Sequence, residues 1–167
     1  QRLWLAFPDH TKYRTLEDFY TALGGAAEKN INVPGFGPNG NTCASRLSVA
    51  FNKGGAPINT ALASSVGATT LGTADGSRII FRVSDFRKYL HKTLGKPSID
   101  NASPYDDAFR GRKGIIAFSV NWQGATGHIA LWNGLNYREP SYDNYSTYVN
   151  STHANIKTSS GEFWELS

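Results

Sequence analysis

A chain of 167 residues, 40% hydrophobic and 18% charged, has the size and composition of one globular domain, able to bury roughly 70% of its unfolded surface without disulfides or metal. Its formal net charge of +4 is not gathered into runs of Lys and Arg, which argues against nucleic acid as a partner. No apolar stretch of about 18 residues is available to span a membrane, so the expectation is a single domain over residues 1–167.

In chain order, Leu3-Trp4-Leu5-Ala6-Phe7 is an apolar segment stopped by Pro8 and reads as a docking arm. Thr15 caps a helix, with Asp18 in the N3 place and Leu16, Phe19, Tyr20 and Leu23 on one face, and Gly24-Gly25 ends it. The polar, glycine-rich stretch from Ala26 to Asn41 reads as a loop. Its Gly35-Phe36-Gly37-Pro38 lacks phosphate-loop spacing and is followed by no Lys. A chain that starts at Gln1 and holds no methionine reads as a mature product or a trimmed piece.

Thr42 is a good N-cap and places Cys43, the only cysteine, in the first turn of a helix running to about Asn52-Lys53. The positive end of a helix dipole favours an anion there, the form in which a thiol reacts. Against this stands a packing role. Cys43, Leu47, Ala50, Phe51 and Gly54 share one helical stripe, and free cysteine is commonly a small core residue. One cysteine makes no internal disulfide and leaves the redox compartment open.

Residues 56–77, rich in Ala, Ser, Thr and Gly, read as a surface loop. Arg78 to Val83 reads as a short strand, and Ser84 caps a helix with Phe86, Tyr89, Leu90 and Thr93 on one face and His91 off it, facing solvent. From Ser98 to Lys113 the chain reads as loop. Its Asp106-Asp107 pair invites a metal, but adjacent carboxylates diverge and no further ligand follows at suitable spacing. Gly114 to Trp122 is a strand whose continuous apolar start suggests a central position. Three Asn-x-Ser/Thr sequons, at Asn101, Asn144 and Asn150, are about the number chance gives and do not point to a secretory route.

Gly127-His128-Ile129-Ala130-Leu131-Trp132 is a second strand, and Asn133-Gly134 signals a two-residue hairpin. With those two residues as the loop, Trp132 pairs with Leu135 and His128 with Glu139, so that the carboxylate orients the imidazole. Pro140 ends the ladder, a tyrosine-rich segment with Tyr142, Tyr145 and Tyr148 follows, and Glu162 to Leu166 is the last strand. Nucleophile at a helix start, histidine on a strand and acid on its neighbour form a cysteine-hydrolase constellation. His10, His91 and His153 remain rivals to His128. A non-catalytic glycan-binding module is the other class of reading, its rings Trp122, Trp132, Tyr137, Tyr142 and Tyr145.

Helices first and an antiparallel meander after them make the fold α+β, with N-terminal helices packed on an antiparallel sheet. This order resembles the papain-like and NlpC/P60 folds. More narrowly, Asn41-Thr42-Cys43-Ala44-Ser45-Arg46-Leu47-Ser48-Val49-Ala50 and Gly127-His128-Ile129-Ala130-Leu131-Trp132-Asn133-Gly134 resemble the two signature blocks of the type VI secretion amidase effectors, family 4. The resemblance implies cleavage of the bond between D-glutamate and meso-diaminopimelate in peptidoglycan stem peptides. It places the family's cysteine at Cys43, its histidine at His128 and its acid, usually an aspartate, at Glu139, with Asp143 in reserve. The chemistry needs no metal or organic cofactor, and a cysteine protease or acyltransferase of the same fold would share these residues. Arg46, Arg138 or nearby Lys are candidates for holding substrate carboxylates. Many members carry a cysteine pair beside the acid; this chain has none. The resemblance further implies a secreted protein acting on the bacterial cell wall and, for a bacterial effector, a small helical immunity partner.

Overall fold

The computed structural model describes residues 1–31, 42–100, 105–120, 127–146, 148–149, 152–153, 155 and 157–166. Most of the loop read between Ala26 and Asn41, the end of the strand at Asn121-Trp122, the return loop 123–126, and Asn101 and Asn150 lie outside them. The chain divides into two compact units, Gln1–Tyr89 and Leu90–Ser167.

In the first unit the apolar N-terminal segment is a helix, α1 (Arg2–Ala6), lying against the helix that Cys43 opens, α4 (Cys43–Lys53). Helix α2 (Leu16–Leu23) starts where the capping pattern put it, with the Asp18 amide donating to Thr15 Oγ1 at 3.0 Å, and ends at Gly24, whose φ of 66° suits glycine. A further short helix, α3 (Gly25–Lys29), occupies the start of the expected loop. Phe19 and Tyr20 of α2 are buried in a cluster with Ala27, Val49 and Ile79.

Helix α4 (Cys43–Lys53) is buried on every side from Cys43 to Phe51, well beyond a single apolar stripe. A helix surrounded in this way must find partners for its polar side chains. Ser48 Oγ accepts from the Ile80 amide at 2.9 Å. The Asn52 amide donates to Arg78 O and accepts from Ile58 N–H, both at 2.8 Å.

The weakly patterned 56–77 region holds α5 (Thr60–Ser65), capped by Asn59 Oδ1 on the Leu62 amide, and β1 (Thr70–Gly72), which pairs antiparallel with β2 (Arg78–Ile80). The turn between them is built on Asp75, whose Oδ1 accepts from Thr73 Oγ1 and the Ser77 amide. These bonds hold its carboxyl below the usual range. Helix α6 (Val83–Leu94) follows β2 directly and buries Phe86, Tyr89 and Leu90.

The second unit is an antiparallel sheet of β3 (Ile99–Asp100), β4 (Gly114–Val120), β5 (Gly127–Trp132) and β6 (Thr158–Glu165) in the order β3-β6-β4-β5. Strand β4 is thus paired on both edges, which explains its unbroken apolar run. The stretch read as loop from Ser98 to Lys113 contains β3 and a short helix, α7 (Tyr105–Phe109). Register places Ile116 opposite Ala130 and Phe163, and Phe118 opposite His128 and Gly161. One face therefore carries Ile116, Phe118, Ala130, Phe163 and His128, and all but the histidine join Tyr105, Phe109, Trp132 and Tyr137 in the core. A four-residue helix, α8 (Pro140–Asp143), packs beside β5.

Candidate active site

Cys43 is the first residue of α4, as the capping pattern required, and is 6% exposed. Thr42 sits at the N-cap without capping the helix through its side chain. Its Oγ1 instead accepts from Arg46 Nε at 2.8 Å. Arg46 itself is 1% exposed. Its other nitrogens donate to Pro8 O at 2.8 Å and Tyr13 O at 2.9 Å, and its guanidinium lies over the Phe19 ring at 4.6 Å. Those bonds take up the planar fork in tying α4 to the preceding chain, so Arg46 is not the substrate-carboxylate ligand considered from the sequence. One turn of α2 completes this packing. Tyr20 and Ser45 share a buried hydroxyl hydrogen bond of 2.9 Å, and burial pushes the Tyr20 phenol up to about 12, so it acts as a neutral group.

His128 is the second residue of β5 and is 5% exposed. Gly127 before it has φ 149°, and a Cβ there would run into Phe118 O on β4, so only glycine lets the strand enter at this point. The imidazole Nε2 is hydrogen-bonded to Asp143 Oδ1 at 2.8 Å, and Asp143 Oδ2 accepts from the Glu139 amide at 2.9 Å. A carboxylate is an acceptor, which puts the ring proton on Nε2 and the lone pair of the neutral imidazole on Nδ1. The Tyr145 ring stacks on the imidazole, with centroids 4.7 Å apart and planes 25° from parallel.

The cross-strand pairing of His128 with Glu139 expected from a two-residue hairpin is not formed. Trp132 pairs with Tyr137 rather than Leu135, and the Arg138 amide donates to Leu131 O. The reason is Asn133. Its side-chain Oδ1 accepts from both the Leu135 amide (3.0 Å) and the Asn136 amide (2.7 Å), drawing four residues into the turn in place of two. The register moves by two, and Glu139 becomes the N-cap of α8, with Pro140 at its first position. Asp143, held in reserve from the sequence, is the carboxylate on Nε2. Pro140 opening a helical turn with an acid at its end was the signal for it.

The rival histidines have other surroundings. His91, read as facing solvent, is exposed but bonds Glu162 Oε2 at 2.9 Å and meets the Trp164 ring edge-on; His153 is exposed beside Thr152 Oγ1. Asp106 accepts from Tyr137 Oη at 2.5 Å, and burial together with this bond pushes the Tyr137 phenol up. Asp107 faces Arg110. Among the described residues no three His, Cys, Asp or Glu side chains are grouped as a metal site. Of the rings read as a glycan platform, Trp132 and Tyr137 are core, with the Trp132 indole donating to Phe109 O at 3.0 Å. Trp122 lies outside the described residues, and Tyr142 is exposed.

The family model of the type VI secretion system (T6SS) amidase effector protein 4 matches residues 39–164. Among solved structures, the effector Tae4 from Salmonella typhimurium, in complex with the immunity Tai4 from Enterobacter cloacae, is similar with a TM-score of 0.78 and 29% identity, over 99% of this chain and 97% of that one. Tae4 of the Enterobacter cloacae effector-immunity complex gives 0.78 and 28% over 99% and 96%, and that of the Salmonella Typhimurium complex 0.76 and 30% over 99% and 96%. No curated protein sequence matches the chain.

Proposed function

We propose, from the premise that the chain belongs to the type VI secretion system amidase effector 4 family, that Cys43 is its nucleophile, His128 the base and Asp143 the acid that orients it. As a member of that family the protein is an amidase effector acting on peptidoglycan, an α+β cysteine hydrolase. The bond attacked is the γ-amide between D-glutamate and meso-diaminopimelate, and residues 1–167 act as one amidase domain.

The observation that carries this reading is the buried Nε2 to Asp143 hydrogen bond of 2.8 Å. With Nε2–H held by Asp143, Nδ1 takes the thiol proton of Cys43, and the sulfur attacks the γ-carbonyl. The backbone N–H of Cys43, in the first turn of α4, helps hold the oxyanion. The protonated imidazole then gives its proton to the departing amine of diaminopimelate, leaving a thioester. Water, deprotonated by the same nitrogen, adds to the thioester and releases the D-glutamate carboxylate and the free thiol.

The relatives' complexes with the immunity protein Tai4 support an immunity protein as a partner for this chain also. Its place of action is the wall in the periplasm of a target cell. Among the described residues no helix is long and apolar enough to cross a membrane.

Digestion of diaminopimelate-type peptidoglycan with product masses tests the reading. Wild type is expected to create new free amino groups on diaminopimelate, and Cys43→Ala none. An unchanged product pattern from Cys43→Ala would overturn the mechanism.

A further inference from the structure

A hydrogen bond at Nε2 sets one point of an imidazole, and support on the ring face sets its plane. A base that receives a proton at Nδ1 needs its plane fixed as well. The turn that carries Asp143 also carries the group that does this. The Tyr145 amide donates to Asp143 O at 3.0 Å, its carbonyl accepts from Thr158 Oγ1 of β6 at 2.6 Å, and its ring packs against Tyr148 with centroids 5.1 Å apart. The same ring lies 4.7 Å from the imidazole at 25° to parallel. It is therefore in contact with a second aromatic and anchored through both its backbone N–H and its C=O, a support rather than a passing contact.

From this geometry we propose that Tyr145 is a positioning residue for the amidase reaction, its ring face setting the plane of the His128 imidazole and favouring the imidazolium formed during turnover. The inference rests on the reading of His128 as the base. An aromatic face attracts a cation through its quadrupole, so the stack is worth more when the histidine is protonated than when it is neutral. Stabilisation of that kind, made along the reaction and not on substrate binding, appears in kcat and not in KM. The face acts, not the hydroxyl, so phenylalanine replaces tyrosine and an aliphatic side chain of similar bulk does not.

Three variants, Tyr145→Phe, Tyr145→Leu and His128→Ala, are to be assayed on stem peptides, with the His128 ring protons followed by NMR. Tyr145→Leu is expected to lower kcat about tenfold with KM little changed, and Tyr145→Phe to restore it. The His128 ring signals are expected upfield in wild type and Tyr145→Phe, and at ordinary positions in Tyr145→Leu, a readout that needs no turnover. Wild-type kcat in Tyr145→Leu, or a loss in Tyr145→Phe as large as in Tyr145→Leu, overturns the inference. His128→Ala separates the two claims: if it keeps wild-type turnover, the base assignment itself fails, whereas a dead His128→Ala beside an active Tyr145→Leu removes only the role of Tyr145.

Discussion

At Arg46 the fold spends a cation on three neutral oxygens. Thr42 Oγ1, Pro8 O and Tyr13 O surround one guanidinium that is 1% exposed, and a planar fork with fixed donor directions can serve all three where a single ammonium cannot. Arg46→Lys is expected to cost about 2–3 kcal/mol of stability, since it leaves buried acceptors unmatched; thermal or denaturant unfolding measures it, and a loss below about 0.5 kcal/mol would contradict the packing role. A second residue-scale comparison concerns the acid. Asp143→Asn can present an N–H to Nε2 and so favour the wrong tautomer, and it is expected to lower kcat about a hundredfold or more, while Glu139→Gln changes it less than about threefold. Steady-state rates on stem peptides decide between them, and the reverse ranking would return Glu139 to the role first read for it. Cys43 and His128 were legible as candidates because a lone thiol after an N-cap and a histidine opening a strand are local patterns. The fate of Arg46 is not legible in that way, because two of its three acceptors lie 33 and 38 positions away.

The elements most visible in the sequence are those with long periodic faces or strong caps: α2, α4, α6, β4 and β5. The ones missed, α1, α3, α5, β1, β3, α7 and α8, have two to six residues each and depend on partners elsewhere in the chain, as β3 does on β6. Pieces so short have too few positions for a period to show. The Asp75-Gly76 dipeptide before Ser77 is a readable signal for the β1–β2 turn. The hairpin after β5 failed for a different reason. Asn-Gly indicates a turn correctly, but the Asn133 side chain, by accepting two amides, selects a longer one, and the carboxylate bonded to His128 is that of Asp143 in place of Glu139. The entry to β5 gives the element-scale prediction. Gly127→Ala puts a Cβ against Phe118 O at a φ of 149°, and is expected to cost about 2–4 kcal/mol and to displace His128. Unfolding midpoints together with activity check this, and a variant as stable and active as wild type would contradict it.

For the whole molecule, the α+β class followed from element order, helices early and antiparallel strands late, and the family from two blocks separated by some eighty positions. The similarity to Tae4 effectors over 99% of the chain agrees with both. What the order of elements alone does not contain is which two distant side chains do chemistry together, since that depends on long-range packing and not on local pattern. The central claim, that Cys43 and His128 act as one nucleophile and base, is tested most directly by 1,3-dibromoacetone, a short reagent that alkylates a thiol and then bridges to a nearby imidazole. After brief treatment of the native protein and proteolysis, mass spectrometry is expected to find the Cys43 peptide joined to the His128 peptide, with loss of peptidoglycan hydrolysis. A bridge from Cys43 to His10, His91 or His153 instead, or alkylated Cys43 with no bridge, would contradict the account.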